Sequence, residues 1–159
     1  MRKLSVMIVL FVLLYVAANL SVAYFGVWST PINALVIISA DMVIRDKIQH
    51  NFGFWYSMLA CFVAGIATVI IDPSAGMIAV ASVSSVIMAG TGSAITFKFK
   101  RGDFYSKSIP ANTVSAAIDS IAFPMIAFGS VMIDVSLAQF AAKTVGAFII
   151  IAIMRKFKL

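Results

Sequence analysis

The chain of 159 residues contains no glutamate, and its only acids are six aspartates. Soluble helices use glutamate freely on their exposed faces, so its absence argues against a water-facing helical protein. Cysteine and histidine occur once each, as Cys61 and His50. No multi-ligand Cys/His metal site and no internal disulfide can form from single residues. Cys61 lies inside an apolar run and reads as a small packing residue. The chain has no HExxH, no GxSxG and no P-loop, which removes the common metalloprotease, serine-hydrolase and NTPase signatures. A Ser/His couple within a membrane would need His50 at depth, yet it stands near Lys47 in a polar stretch. The expectation is therefore a protein that is not an enzyme and that uses no metal or cofactor.

What the chain has instead is apolar surface. Hydrophobic residues make up 62% of it, charged residues only 11%, and the mean hydropathy is +1.06. A soluble domain must present a polar shell to water, whereas a lipid-facing one need not. A bilayer core of about 30 Å takes about 17–25 helical residues to cross. Six such segments fit, at about residues 4–24, 32–46, 54–71, 77–97, 109–131 and 137–154. The second is short unless Arg45 and Asp46 sit at headgroup level. Trp28-Ser29-Thr30-Pro31 and Ile71-Asp72-Pro73-Ser74 read as breaks, because proline favours the first turn of a new helix. Residues 98–103 read as a polar loop, and the stretch 130–136 is harder to assign. The fold class expected is an all-α bundle of six transmembrane helices forming one domain.

Charge orients it. With the N-terminus inside, the inner segments hold eleven of the twelve Lys and Arg residues, and the outer loops hold Asp72 and Asp134 instead. That asymmetry is the positive-inside pattern, and it puts both termini in the cytoplasm. Tyr24 and Trp28 fall at the outer interface and Trp55 and Tyr56 at the inner one. The net charge of +6 is thus a matter of topology, and no nucleic-acid partner is implied. Met1-Arg2-Lys3 before Leu4–Val16 also has the form of a secretory signal. Cleavage near Ala17-Ala18 would leave five spans and break the charge alternation, so six spans are preferred.

Charges at membrane depth are costly, about 2.5–3.5 kcal/mol each at a helix centre on insertion scales, and are the informative exceptions. Asp119 lies nine residues past Pro110, about 14 Å along the fifth span. Asn112, Ser115 and Asp119 form one stripe on that span and are candidates for a substrate site, against the alternative of an interhelical hydrogen-bond seam. Lys143, the one cation outside the inner segments, either snorkels outward or neutralises Asp119. Asp41 and Arg45 stand at i, i+4 in the favourable order for an ion pair, either structural or gating. Pro31-Ile32-Asn33 leads to Asp41 as Pro110-Ala111-Asn112 leads to Asp119, which is compatible with a 3+3 inverted repeat and a midplane site. In the fourth span Ala81, Ser85 and Ala89 favour close packing, and Gly90-Thr91-Gly92 offers a hinge.

Three stretches carry a resemblance. They are Asp41-Met42-Val43-Ile44-Arg45-Asp46-Lys47-Ile48-Gln49-His50, then residues 111–120 running into Phe123-Pro124, and Gln139 with Lys143. Asn19 matches more loosely. Over nearly its whole length the chain resembles the vitamin uptake transporter family, which includes the queuosine precursor transporters. It departs from that family at Ile87-Met88-Ala89-Gly90-Thr91, where relatives often carry an acid. The resemblance implies a multi-pass protein of a bacterial-type inner membrane that imports a 7-deazaguanine such as preQ0 or preQ1. It implies a site drawn from Asn19, Asn112, Ser115, Asp119, Phe123, Gln139 and Lys143, with Asp41, Arg45 and Asp46 as an ion-pair or gating group. A carboxylate such as Asp119 suits the paired N–H donors of a guanine-like edge. A facilitator and a proton-coupled carrier both stay open, as does a homodimer. So does a second class: a substrate-binding membrane subunit that works only within a larger complex. The absence of a sustained Ala-xxx-Ala run around Ala17, Ala18 and Ala23 favours the stand-alone carrier.

Overall fold

The computed structural model describes residues 2–157, and among them there are six long helices and no strand. The helices are α1 (Arg2–Phe25), α2 (Val27–Phe52), α3 (Phe54–Ile71), α4 (Gly76–Phe99), α5 (Phe104–Phe128) and α6 (Ile133–Phe157). All six are long and apolar enough to cross a membrane. The all-α, six-span class follows, and with it a multi-pass membrane protein.

The connections are tighter than the sequence reading placed them. α1 and α2 are parted by Gly26 alone, at φ 73°, a backbone conformation that side chains resist. The break therefore precedes Trp28–Pro31, and Pro31 stands in the first turns of α2, where its missing N–H is harmless. α2 then runs on to Phe52, not to residue 46. That extension takes Arg45 and Asp46 away from headgroup level and into the core, where they are 1% and 0% exposed. α5 stops at Phe128 because Gly129 adopts the left-handed conformation that ends helices, three residues short of the expected 131. α6 begins at Ile133, four residues before the expected 137.

Two aspartates cap the turns. Asp72 accepts hydrogen bonds from the Ser74 hydroxyl (2.6 Å) and backbone N–H (2.9 Å) ahead of α4. Asp103 accepts from the Ser106 hydroxyl and, at 2.9 Å, from its backbone N–H at the start of α5. Bonds to the ionised form hold both carboxyls below the usual carboxylate range.

Small residues set the packing. α4 and α5 make the most extensive helix pair, with Ala81, Ser85 and Ala89 of α4 fully buried. A Cβ at Gly92 would come within 2.6 Å of the Ile118 δ-methyl on α5. α4 stays helical through Gly90-Thr91-Gly92, so these glycines serve close approach in this structure. The outer faces present Leu13, Ile66, Ile70, Val80, Ile121 and Phe148, all exposed and apolar. Such a surface suits hydrocarbon. Tyr24 and Trp28 are exposed at one end of the bundle, and Trp55 and Tyr56 at the other.

α2 contains a π-helical turn at Ala34–Ile38. Ser39 Oγ donates to the Ala34 carbonyl five residues back (2.6 Å) and lies 3.2 Å from the Lys143 carbonyl on α6. The widened turn lies on Gly146 of α6, where an added Cβ would strike the Leu35 carbonyl and the Ser39 side chain. Gly146→Ala should therefore lower stability by about 1–3 kcal/mol, the usual range for an overpacked contact. Gly76→Ala, with nothing within 4 Å of the added carbon, is the matched control. Equal thermal unfolding of the two variants in lipid or detergent would show that the α2–α6 contact is loose.

Candidate functional site

Six apolar helices hide an interior that is unusually polar. Pro124 within α5 leaves the Ser120 carbonyl without its helical donor, and next to it the buried charges begin.

The first group centres on Lys143. Its ammonium lies 2.7 Å from Asp119 Oδ2, 2.8 Å from Gln139 Oε1 and 3.2 Å from Ser120 Oγ. An ammonium has three protons, so its donors are matched. Gln139 passes the chain on, its Nε2 donating to Thr30 Oγ (2.9 Å), which itself donates to the Val27 carbonyl (2.6 Å). Lys143 is fully buried, which excludes snorkelling in this structure.

The second group lies nearer the end of the bundle that carries the termini. Asp46 Oδ1 accepts from Arg45 and from Ser93 Oγ, each at 2.9 Å, and Oδ2 accepts from Asn112 Nδ2 at 2.9 Å. Arg45 also donates to Ser115 Oγ (2.9 Å). The group thus ties α2, α4 and α5 together. The ion pair of Arg45 is with Asp46 and not with Asp41, a correction to the i, i+4 expectation. Asp46 gains because two other helices supply donors to it, whereas Asp41 lines the cavity one turn away.

A third group joins α1, α3 and α4. Asn19 Oδ1 accepts from Ser82 Oγ (2.5 Å), and its Nδ2 donates to Thr68 Oγ (3.2 Å).

Between these groups lies a small cavity of about 40 Å³. Its lining includes Asn19, Asp41, Asp119, Phe123, Gln139 and Lys143, together with Tyr15, Thr30, Ser82 and Ser85. Asp41 is 6% exposed, and its Oδ1 is buried with no hydrogen-bond partner. Phe123 closes one side and meets Phe128 edge-on at 6.1 Å.

Of the residues singled out from the sequence, Asn19, Asp119, Phe123, Gln139 and Lys143 share this cavity, and so does Asp41. Asn112 and Ser115 lie on the α5 stripe with Asp119, but their side chains are engaged with Asp46 and Arg45 instead. Tyr15, Thr30 and Ser82 carry no signal in the sequence as site residues, and Ser85 reads there as a packing residue only. Hydroxyls are ordinary in membrane helices and leave no charge signal, and Tyr15 sits in an unbroken apolar run. His50 is exposed beside the Phe97 and Phe104 rings, away from the cavity. Among the described residues no cluster could hold a metal ion. In comparisons with protein-family models, curated proteins and solved structures, nothing matches the chain.

Proposed function

We propose that the chain is a small-solute carrier of a bacterial-type inner membrane, with both termini cytoplasmic, that imports a queuosine precursor or a related 7-deazaguanine. The observation that carries this reading is the polar-lined cavity among six apolar helices, with a charged pair, Asp119–Lys143, on its wall. At about 40 Å³ the cavity in this conformation has room for a water or two. Small-molecule sites are far larger, about 300–1,000 Å³, so a solute enters it only as the helices part. Intramembrane charges that face a cavity mark solute paths more often than they mark structure. The solute class comes from the family resemblance and from donor–acceptor chemistry. Asp119 accepts from Lys143 through Oδ2 and also meets Ser85, and a carboxylate has lone pairs enough to accept N–H groups from a guanine-like edge as well. Gln139 and Asn19 supply amides, and Phe123 an aromatic wall. The Arg45–Asp46 group, which ties three helices near the termini end, is suited to act as the barrier on that side.

The purified chain in liposomes should take up preQ0 without any partner. Asp119→Asn should weaken binding by about 2–5 kcal/mol, the cost of removing a charged contact to a buried ligand. Unchanged uptake by that variant would remove Asp119 from the site. If the wild-type chain binds preQ0 but moves none, the carrier reading gives way to that of a binding subunit of a larger complex.

A further inference from the structure

The cavity has one more acid than its cations neutralise. Lys143 gives its three protons to Asp119, Gln139 and Ser120. Arg45, one helical turn from Asp41, is engaged with Asp46 and Ser115. Asp41 is left over. Its Oδ1 is buried and meets no donor. Arg45 acts on it from the same helix, and the other groups that face it are few. Tyr15 on α1 lines the same cavity with a buried, unpartnered hydroxyl, and α4 offers only the hydroxyls of Ser82 and Ser85. Cys61 lies behind on α3, Asp119 faces it from α5, and Lys143 from α6.

We infer that Asp41 is a proton-binding site of this cavity, so that each solute crosses together with a proton. The inference rests on the carrier reading given above and names its coupling ion. An ionised carboxylate with a buried oxygen that no protein donor reaches is among the costliest states in a membrane interior, and a bound proton removes that cost. A water in the cavity would find Asp41, Tyr15 and Ser85 as partners, which is enough to hold it and to bring the proton in.

Release has a route as well. Arg45 stands at i+4 from Asp41, within reach of it along the same helix face. When Arg45 leaves Asp46 and turns to Asp41, the guanidinium favours the ionised acid. The Asp41 O–H bond then breaks, the proton passes to water on the side that is open, and the carboxylate remains paired with Arg45. On the return leg Asp41 takes a proton from water on the other side, and Arg45 goes back to Asp46. No oxidant or further reactant is needed.

Two measurements test this. Infrared spectra of the wild type in lipid at neutral pH should contain the C=O stretch of a protonated carboxyl that Asp41→Asn lacks. Its absence from the wild type would overturn the inference, whatever the protein transports. In liposomes with an imposed gradient of one pH unit and no membrane potential, the wild type should concentrate preQ0 up to about tenfold, the limit for one proton per uncharged solute. Asp41→Asn should equilibrate preQ0 without concentrating it. Accumulation by Asp41→Asn equal to the wild type would overturn the proton site and leave the carrier reading standing. If the wild type moves no preQ0 at all, the carrier reading fails, and the infrared band alone decides whether Asp41 holds a proton.

Discussion

Lys143→Met should destabilise the folded protein by about 3–5 kcal/mol, the cost of stripping one partner from a buried ion pair. The ammonium it removes is fully buried and lies 2.7 Å from Asp119. Without it Asp119 is an uncompensated charge in a low-dielectric interior, and Gln139 Oε1 loses its donor as well. Adding Asp119→Asn to Lys143→Met should recover much of the loss, because no buried charge is then left alone. Transport should not return with stability, since the carboxylate contact to solute is gone. Thermal unfolding of the two single variants and the double variant makes the cycle. Strict additivity would mean that the two charges are not coupled, against the geometry of the pair.

Asp46→Ala should be as damaging, for a different reason. Asp46 receives Arg45, Ser93 and Asn112 at once, and its removal orphans donors on α2, α4 and α5. Arg45 would lose the carboxylate it is paired with and keep Ser115 as the hydrogen-bond acceptor already in place. A loss of about 3–5 kcal/mol is expected again. Ser93→Ala removes one bond of the same group and should cost about 1 kcal/mol. The ordering of these two variants in thermal unfolding is the check. A mild Asp46→Ala would show that the group holds the helices only weakly.

Much of this was legible in the sequence, and charge scarcity is why. In a chain with so few acids, Asp119 and Lys143 stand out at once, and counting residues along α5 and α6 puts them at similar depth. Span count was legible for the same reason, since proline, glycine and basic clusters interrupt otherwise apolar runs. α3 matched the expected 54–71 to the residue. The end of α2 was not legible. Lys47, Gln49, His50 and Asn51 look like loop, yet the chain stays helical to Phe52 and carries Arg45 and Asp46 into the core. Spacing alone favoured Asp41 as the partner of Arg45. The choice of Asp46 depends on Ser93 and Asn112, which lie 47 and 66 residues away. Nor could the π-helical turn be read, because it depends on the absence of a side chain at Gly146, on another helix.

The single-residue joints at Gly26 and Gly53 limit how α2 can travel. One residue spans at most about 3.6 Å, while a shift by one helical turn is about 5.4 Å. α2 is thus tethered at one end to α1 and at the other to α3, with too little slack to slide past either. Rotation about its own axis is the movement left to it. A helix confined in this way acts as a roller, and turning it swings Asp41, Arg45 and Asp46 around the bundle interior without lengthening the chain at either joint.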